Sequence, residues 1–142
     1  MTGKSDAPLP VSAITSYHAH IYYELGEERA RAEWLRTLIG ERFMARIGAW
    51  HDELVGPHLK GMYQVAFAVD LFPRFVPWLM LNRVGLSVLV HPNTRRPRDD
   101  HLTYALWLGE KLPLKEETLP IEVPEAKIEE LPPPNTNPTL RP

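Results

Sequence analysis

Cysteine is absent from the 142 residues. That excludes disulfides, thiolate metal sites and a cysteine nucleophile, and it suits a reducing compartment. Long apolar runs are missing as well. No stretch approaches the ~18 uninterrupted apolar residues of a membrane span. The opening MTGKSDAPLPVSAITS lacks the apolar centre of a signal peptide. Nor does charge of one sign prevail: 16 basic against 18 acidic residues give a formal charge of -2, with no basic stripe. Nucleic acid is therefore not the expected partner. These absences lead to the expectation of a soluble, cytoplasmic chain with no membrane partner. What is present is 44% hydrophobic residues, enough for one buried core.

Proline is plentiful and uneven. Eight of the fifteen prolines fall between Pro113 and Pro142. Proline fixes φ and removes a backbone donor, so residues 111–142 should be an extended or disordered tail. Its first part, LPIEVPEAKIEEL, keeps apolar residues and could lie along the domain. A tail of this kind is expected to be dispensable for folding and turnover. Residues 1–12 form a second, flexible end, which leaves 13–110 as the folded domain.

Within that domain the apolar period switches repeatedly. SYHAHIYYEL, residues 16–25, alternates as a strand does: Tyr17, Ala19, Ile21 and Tyr23 on one face, His18, His20 and Tyr22 on the other. Residues 27–46 place Ala30, Trp34, Leu35, Leu38 and Phe43 at helical spacing. IGAWHDE reads as a short strand, LVGPHLKG as a connector and MYQVAFAV as a strand. LFPRFVPWLMLNR reads as a helix with Pro73 near its start. GLSVLVHP reads as a strand stopped by Pro92. DDHLTYALWLGEK reads as a short helix with an aspartate near its N-cap and Gly109 as its stop. The order β-α-β-β-α-β predicts a ferredoxin-like α+β fold: an antiparallel sheet with two helices on one face, plus a short C-terminal helix. Ala19 and Ile21 suit the helix side, so the histidines should occupy the opposite face.

Six histidines carry the chemistry. In this topology the last strand lies antiparallel to the first, so His91 comes near His18 and His20. Side chains two apart on a strand are ~7 Å apart, close enough for imidazoles to converge on one metal ion. His51 and His58 belong to WHDELVGPH, at a connector that Gly56-Pro57 can fold over the same face. His58 would then be a lid ligand, unless a second subunit supplies it. H-x-H alone is also satisfied by local hydrogen bonds; clustering on one face sets this case apart.

The blocks YHAHIYY, WHDELVGPH, MYQVAFAV, VPWLMLNRVGLSVLVHP and DHLTYALWLG together resemble the DOPA 4,5-dioxygenase family over residues 15–110. The resemblance implies an extradiol dioxygenase that uses non-haem iron(II) and O2 to cleave a catechol ring beside its hydroxyls. Leu54 and Leu59 stand where that pattern has proline, and NTRRPRDDH replaces an acidic, glycine-bearing segment; none of these changes removes a histidine. A catechol takes two positions on iron and O2 another, so about three protein ligands are expected. His20, His58 and His91 are the expected set, with His18, His51 and Glu53 as rivals. His51 is the expected proton partner and His18 its alternative. Arg95 or Arg96 would pair with a substrate carboxylate, and Tyr22 and His101 would also contact substrate. A homodimer is the expected assembly. The competing functions are a non-catalytic binding or dimerisation module and a zinc-dependent hydrolase on the same scaffold.

Overall fold

A computed structural model describes residues 7–142. Part of the expected loose N-terminus, residues 1–6, lies outside the described residues; within the remainder Val11–Ala13 forms one 3-10 turn. The elements are β1 (Ser16–Tyr23), α1 (Glu27–Arg42), β2 (Arg46–Ile47), β3 (Gly61–Phe67), α2 (Phe72–Asn82), β4 (Val88–Asn93), α3 (Pro97–His101) and β5 (Leu106–Leu108). The sheet order is β2-β3-β1-β4-β5, antiparallel throughout. Its first four strands have the ferredoxin-like order, and the fold class is the expected α+β. No helix among the described residues is long and apolar enough to cross a membrane.

The odd positions of β1 meet the helices. Ala19, Ile21 and Tyr23 join Tyr63, Val65 and Phe67 of β3 and Val88 and Val90 of β4 in one core. Helix α1 adds Ala32, Leu35 and Ile39, and α2 adds Phe75, Val76 and Leu79. The α1 stripe differs from the expected one. Residues 32, 35 and 39 repeat at i, i+3, i+7, which leaves Ala30 exposed and Trp34 half-exposed. The helix also ends at Arg42 rather than near 46, because Phe43 turns extended to pack against Phe75 and Trp78.

Three strand expectations change. Of IGAWHDE only Ile47 belongs to a strand, the two-residue β2, and His51 adds one isolated bridge to Met62. β4 runs through Pro92 to Asn93. The bond from Tyr22 N–H to Ser87 O sets the alternation of the β1–β4 ladder, so Pro92, opposite Tyr17, falls at a position that exchanges no backbone bond with β1. Its missing donor interrupts nothing. The expected C-terminal helix shrinks to Pro97–His101, and Leu106–Leu108 becomes an edge strand on β4. Leu108 enters the helix-side core while Trp107 stacks on Tyr22 across the sheet. That is period-two behaviour, and it covers an otherwise bare strand edge.

The proline-rich segment lies along the domain as an extended arm. Asn135 clamps Ile47 by accepting from its N–H and donating to its carbonyl, both at 2.8 Å. Thr136 Oγ1 donates to Phe43 O and accepts from Ala45 N. Nearer its start, the arm is bonded to Pro57 O, Arg98 N and Arg95 O.

Candidate metal centre

Strand register builds the centre. His18 lies directly opposite His91, and His20 opposite Leu89, so all three imidazoles project from adjacent strands onto the face away from the helices. One ligand nitrogen from each of His18, His20 and His91 lies within 4.8 Å of the others, and all three residues are buried. His20 Nε2 and His91 Nε2 are 3.0 Å apart. His91 donates Nδ1–H to Pro92 O at 2.8 Å, which fixes its tautomer and leaves a lone pair on Nε2. A backbone carbonyl holding the far nitrogen is the usual support of a metal-binding histidine. His20 places its own Nδ1 3.4 Å from Met62 Sδ; when Nδ1–H points at this soft acceptor, two Nε2 lone pairs face each other. A cation relieves that repulsion. His18 makes ring contacts with His20 and His91 and no hydrogen bond among the described residues, so its nitrogens are available.

Burial keeps these groups neutral. It lowers His18 from 6.5 to about 4, with His101 adding to the effect. It holds His20 and His91 well below the ordinary range, and neighbouring imidazoles push the same way. Neutral imidazole is the form that binds a metal, so three converging lone pairs fit a divalent transition ion.

His58 reaches the same face by the route its connector suggested. Gly56 adopts φ +58°, and its turn folds the segment back. Asp52 anchors one end by accepting from Tyr23 Oη at 2.7 Å and from Arg29 Nε at 2.8 Å. Lys60 pairs with Glu28 at the other end. The His58 ring sits 4.3 Å from that of His20. Yet His58 is outside the converging set, and Tyr22 explains why. The Tyr22 hydroxyl is buried and has no other acceptor among the described residues, so it donates to His58 Nδ1 at 2.7 Å. The His58 proton then resides on Nε2, which leaves neither nitrogen with a free lone pair. The converging nitrogens are thus those of His18, His20 and His91, and His58, expected among them, stands beside the set.

The other expected site residues separate. His101 lines the histidine cavity, with its ring 3.9 Å from that of His91 and Nδ1–H donated to Pro97 O at 2.7 Å. Its Nε2 lone pair stays free, and burial lowers its pKa. His51 pairs in register with Met62 and lines none of this cavity. Glu53 is exposed and apart from the cluster. Arg95 pairs with Glu122 and Arg96 with Asp99, both outside the cavity. Tyr22 is bonded to His58 and does not line this cavity.

The profile of the Dopa 4,5-dioxygenase family matches residues 17–118. The chain belongs to this family. A dioxygenase candidate from Nostoc punctiforme, solved by crystallography, superposes with a TM-score of 0.76 at 46% identity, over 78% of this chain and 96% of that one. An uncharacterised 21.2 kDa protein of Botryotinia fuckeliana is 37% identical over 122 residues, 78% of this chain and 67% of that protein. A DOPA 4,5-dioxygenase of Amanita muscaria is 29% identical over 126 residues, 83% of this chain and 55% of that protein. The chain thus spans about half of the Amanita relative.

Two features of this family member escaped sequence reasoning. Asp100, read only as a cap, is buried in the cavity wall. Its carboxylate accepts from Thr94 N at 2.9 Å and Thr94 Oγ1 at 2.6 Å, and burial raises it to about 6. It locks the turn that presents His101, and the Thr94–Asp100 spacing was the available signal. The second is the arm beyond residue 118, which forms one wall of the cavity of about 610 Å³.

Proposed function

We propose that the chain is an extradiol dioxygenase that cleaves a catechol such as DOPA with non-haem iron(II) and O2. Both oxygen atoms would enter the product as a ring carbon–carbon bond beside the hydroxyls breaks. The observation that carries the reading is the convergence of the buried His18, His20 and His91 ring nitrogens at the floor of an open cavity of substrate size. His18, His20 and His91 would hold the metal. Bound iron(II) supplies the centre at which the catechol oxygens and O2 meet.

The chain's own residues divide the remaining work. His101, neutral and with Nε2 free, takes the proton released by the catechol hydroxyl. This is the role the sequence suggested for His51, which lines no part of the cavity. His58 presents Nε2–H, held by Tyr22, as a donor toward developing negative charge. The arm and the 51–60 segment cover the sheet face and exclude water.

The test is metal analysis after anaerobic purification, followed by oxygen uptake across a panel of catechols. Iron with uptake matching catechol loss, and a new absorbing product, is expected. Zinc without oxygen uptake would favour a hydrolase and refute the proposal. A protein that holds no metal and consumes no oxygen when supplied with iron would refute it too.

A further inference from the structure

The arm brings charge to the histidine cavity. Its course over the cavity is fixed by two backbone bonds, Arg98 N to Pro120 O at 3.0 Å and Val123 N to Arg95 O at 2.8 Å, and by the Thr15 hydroxyl donating to Glu129 O at 3.1 Å. Between the last two, Glu125–Lys127 forms a 3-10 turn. Lys127, Glu129 and Glu130 all line the cavity. Lys127 makes no ion pair among the described residues, and neither glutamate side chain is engaged. The opposite wall is made of buried imidazoles kept neutral. Arg95 and Arg96, the cations expected to meet a substrate, are paired elsewhere. Among the described residues, one free cation therefore lines the cavity beside two free carboxylates.

We infer that the arm, residues 119–130, is the specificity wall of the site and reads the α-amino-acid head of its substrate, Lys127 taking the carboxylate and Glu129 with Glu130 the ammonium. The inference rests on the catechol reading above and extends it from ring to side chain. A free cation and free anions on one rim match a zwitterion better than an ion of either sign, because each charge finds a partner. The histidines grip the catechol end and the arm reads the other.

The probes are DOPA, dopamine (no carboxylate), 3,4-dihydroxyphenylpropionate (no amine) and 4-methylcatechol (neither), titrated anaerobically into the iron-loaded full-length protein by calorimetry. Turnover is measured in parallel. Lys127→Gln should lower the affinity ratio of DOPA to dopamine by roughly 5- to 10-fold, as for a charge-assisted bond at a partly solvated rim. Glu129→Gln with Glu130→Gln should lower the ratio of DOPA to 3,4-dihydroxyphenylpropionate similarly. Both substitutions are on exposed side chains, and unfolding midpoints check the fold. If all four probes bind and turn over but the ratios do not move, the inference is wrong while the catechol reading stands. If no probe binds or is turned over, both fall together.

Discussion

Acid should destabilise the metal-free protein through its own histidines. The perturbation is a shift from pH ~7 to pH ~5 with a chelator present. His18 and His58 are each lowered from 6.5 to about 4, chiefly by burial. Between those values the unfolded chain binds protons that the folded chain refuses. Stability is therefore fully present above 6.5 and lost as pH falls toward 4. For one such group the loss between pH ~7 and ~5 is about 2 kcal/mol, so the pair contributes roughly 3–4 kcal/mol. His20 and His91 act in the same direction. Against a typical domain stability of about 5–15 kcal/mol, this is a large fraction. Urea unfolding followed by the fluorescence of the four tryptophans measures it. The midpoint should fall steeply over this range, and His18→Leu should remove about half of the pair's dependence. A flat midpoint from pH ~7 to ~5 would mean that these imidazoles are already charged or solvated, and the argument for neutral metal ligands would fail.

Other perturbations separate the roles of the remaining residues. His20→Ala and His91→Ala should each abolish iron binding while keeping a cooperative unfolding transition; full iron occupancy in either would remove it from the ligand set. His101→Ala should keep its iron but turn over ~10²–10⁴-fold more slowly, the usual contribution of a proton-transfer residue; His51→Ala should keep both iron and turnover, and a slow, iron-replete His51→Ala would exchange the two assignments. Truncation after Thr118 removes the Asn135 and Thr136 bonds to Phe43, Ala45 and Ile47. It should lower stability by a few kcal/mol at ~0.5–1.5 kcal/mol per bond. An unchanged melting temperature would show that the arm adheres too weakly to matter.

The fold was legible wherever the apolar period was long and clean. SYHAHIYY showed its two faces at once because each parity was chemically uniform. The errors fell where two periods competed over a few residues. HLTYALWLGEK carries apolar residues compatible with either repeat, and only the bare edge of β4 decides that Leu106 and Leu108 point one way and Trp107 the other. Trp34 misled for a related reason: a large apolar side chain dominates a helical wheel, whereas the sheet selects the small and branched Ala32, Leu35 and Ile39. The arm was legible only as an extended segment able to lie along the domain; its course and its bonds were not. Its segments have no apolar period, and they hold through backbone and Asn/Thr bonds that composition does not reveal.

The site shows the same division between topology and local chemistry. His20 and His91 could be placed together because the strand order alone puts them on one face. Placing His18 and His58 required more. Register sets His18 directly opposite His91, and a slip of one residue would have turned it to the other face. His58 came to the cavity as its connector suggested, but a neighbouring hydroxyl decides what it can do there. The Tyr22 O–H donates to His58 Nδ1, which leaves that ring a donor at Nε2 and no free lone pair. Neither the register nor that proton is written in a spacing motif. A cluster of histidines in sequence therefore points to a shared face before it separates the individual rings, and the hydrogen bonds behind each ring decide which nitrogens keep a lone pair.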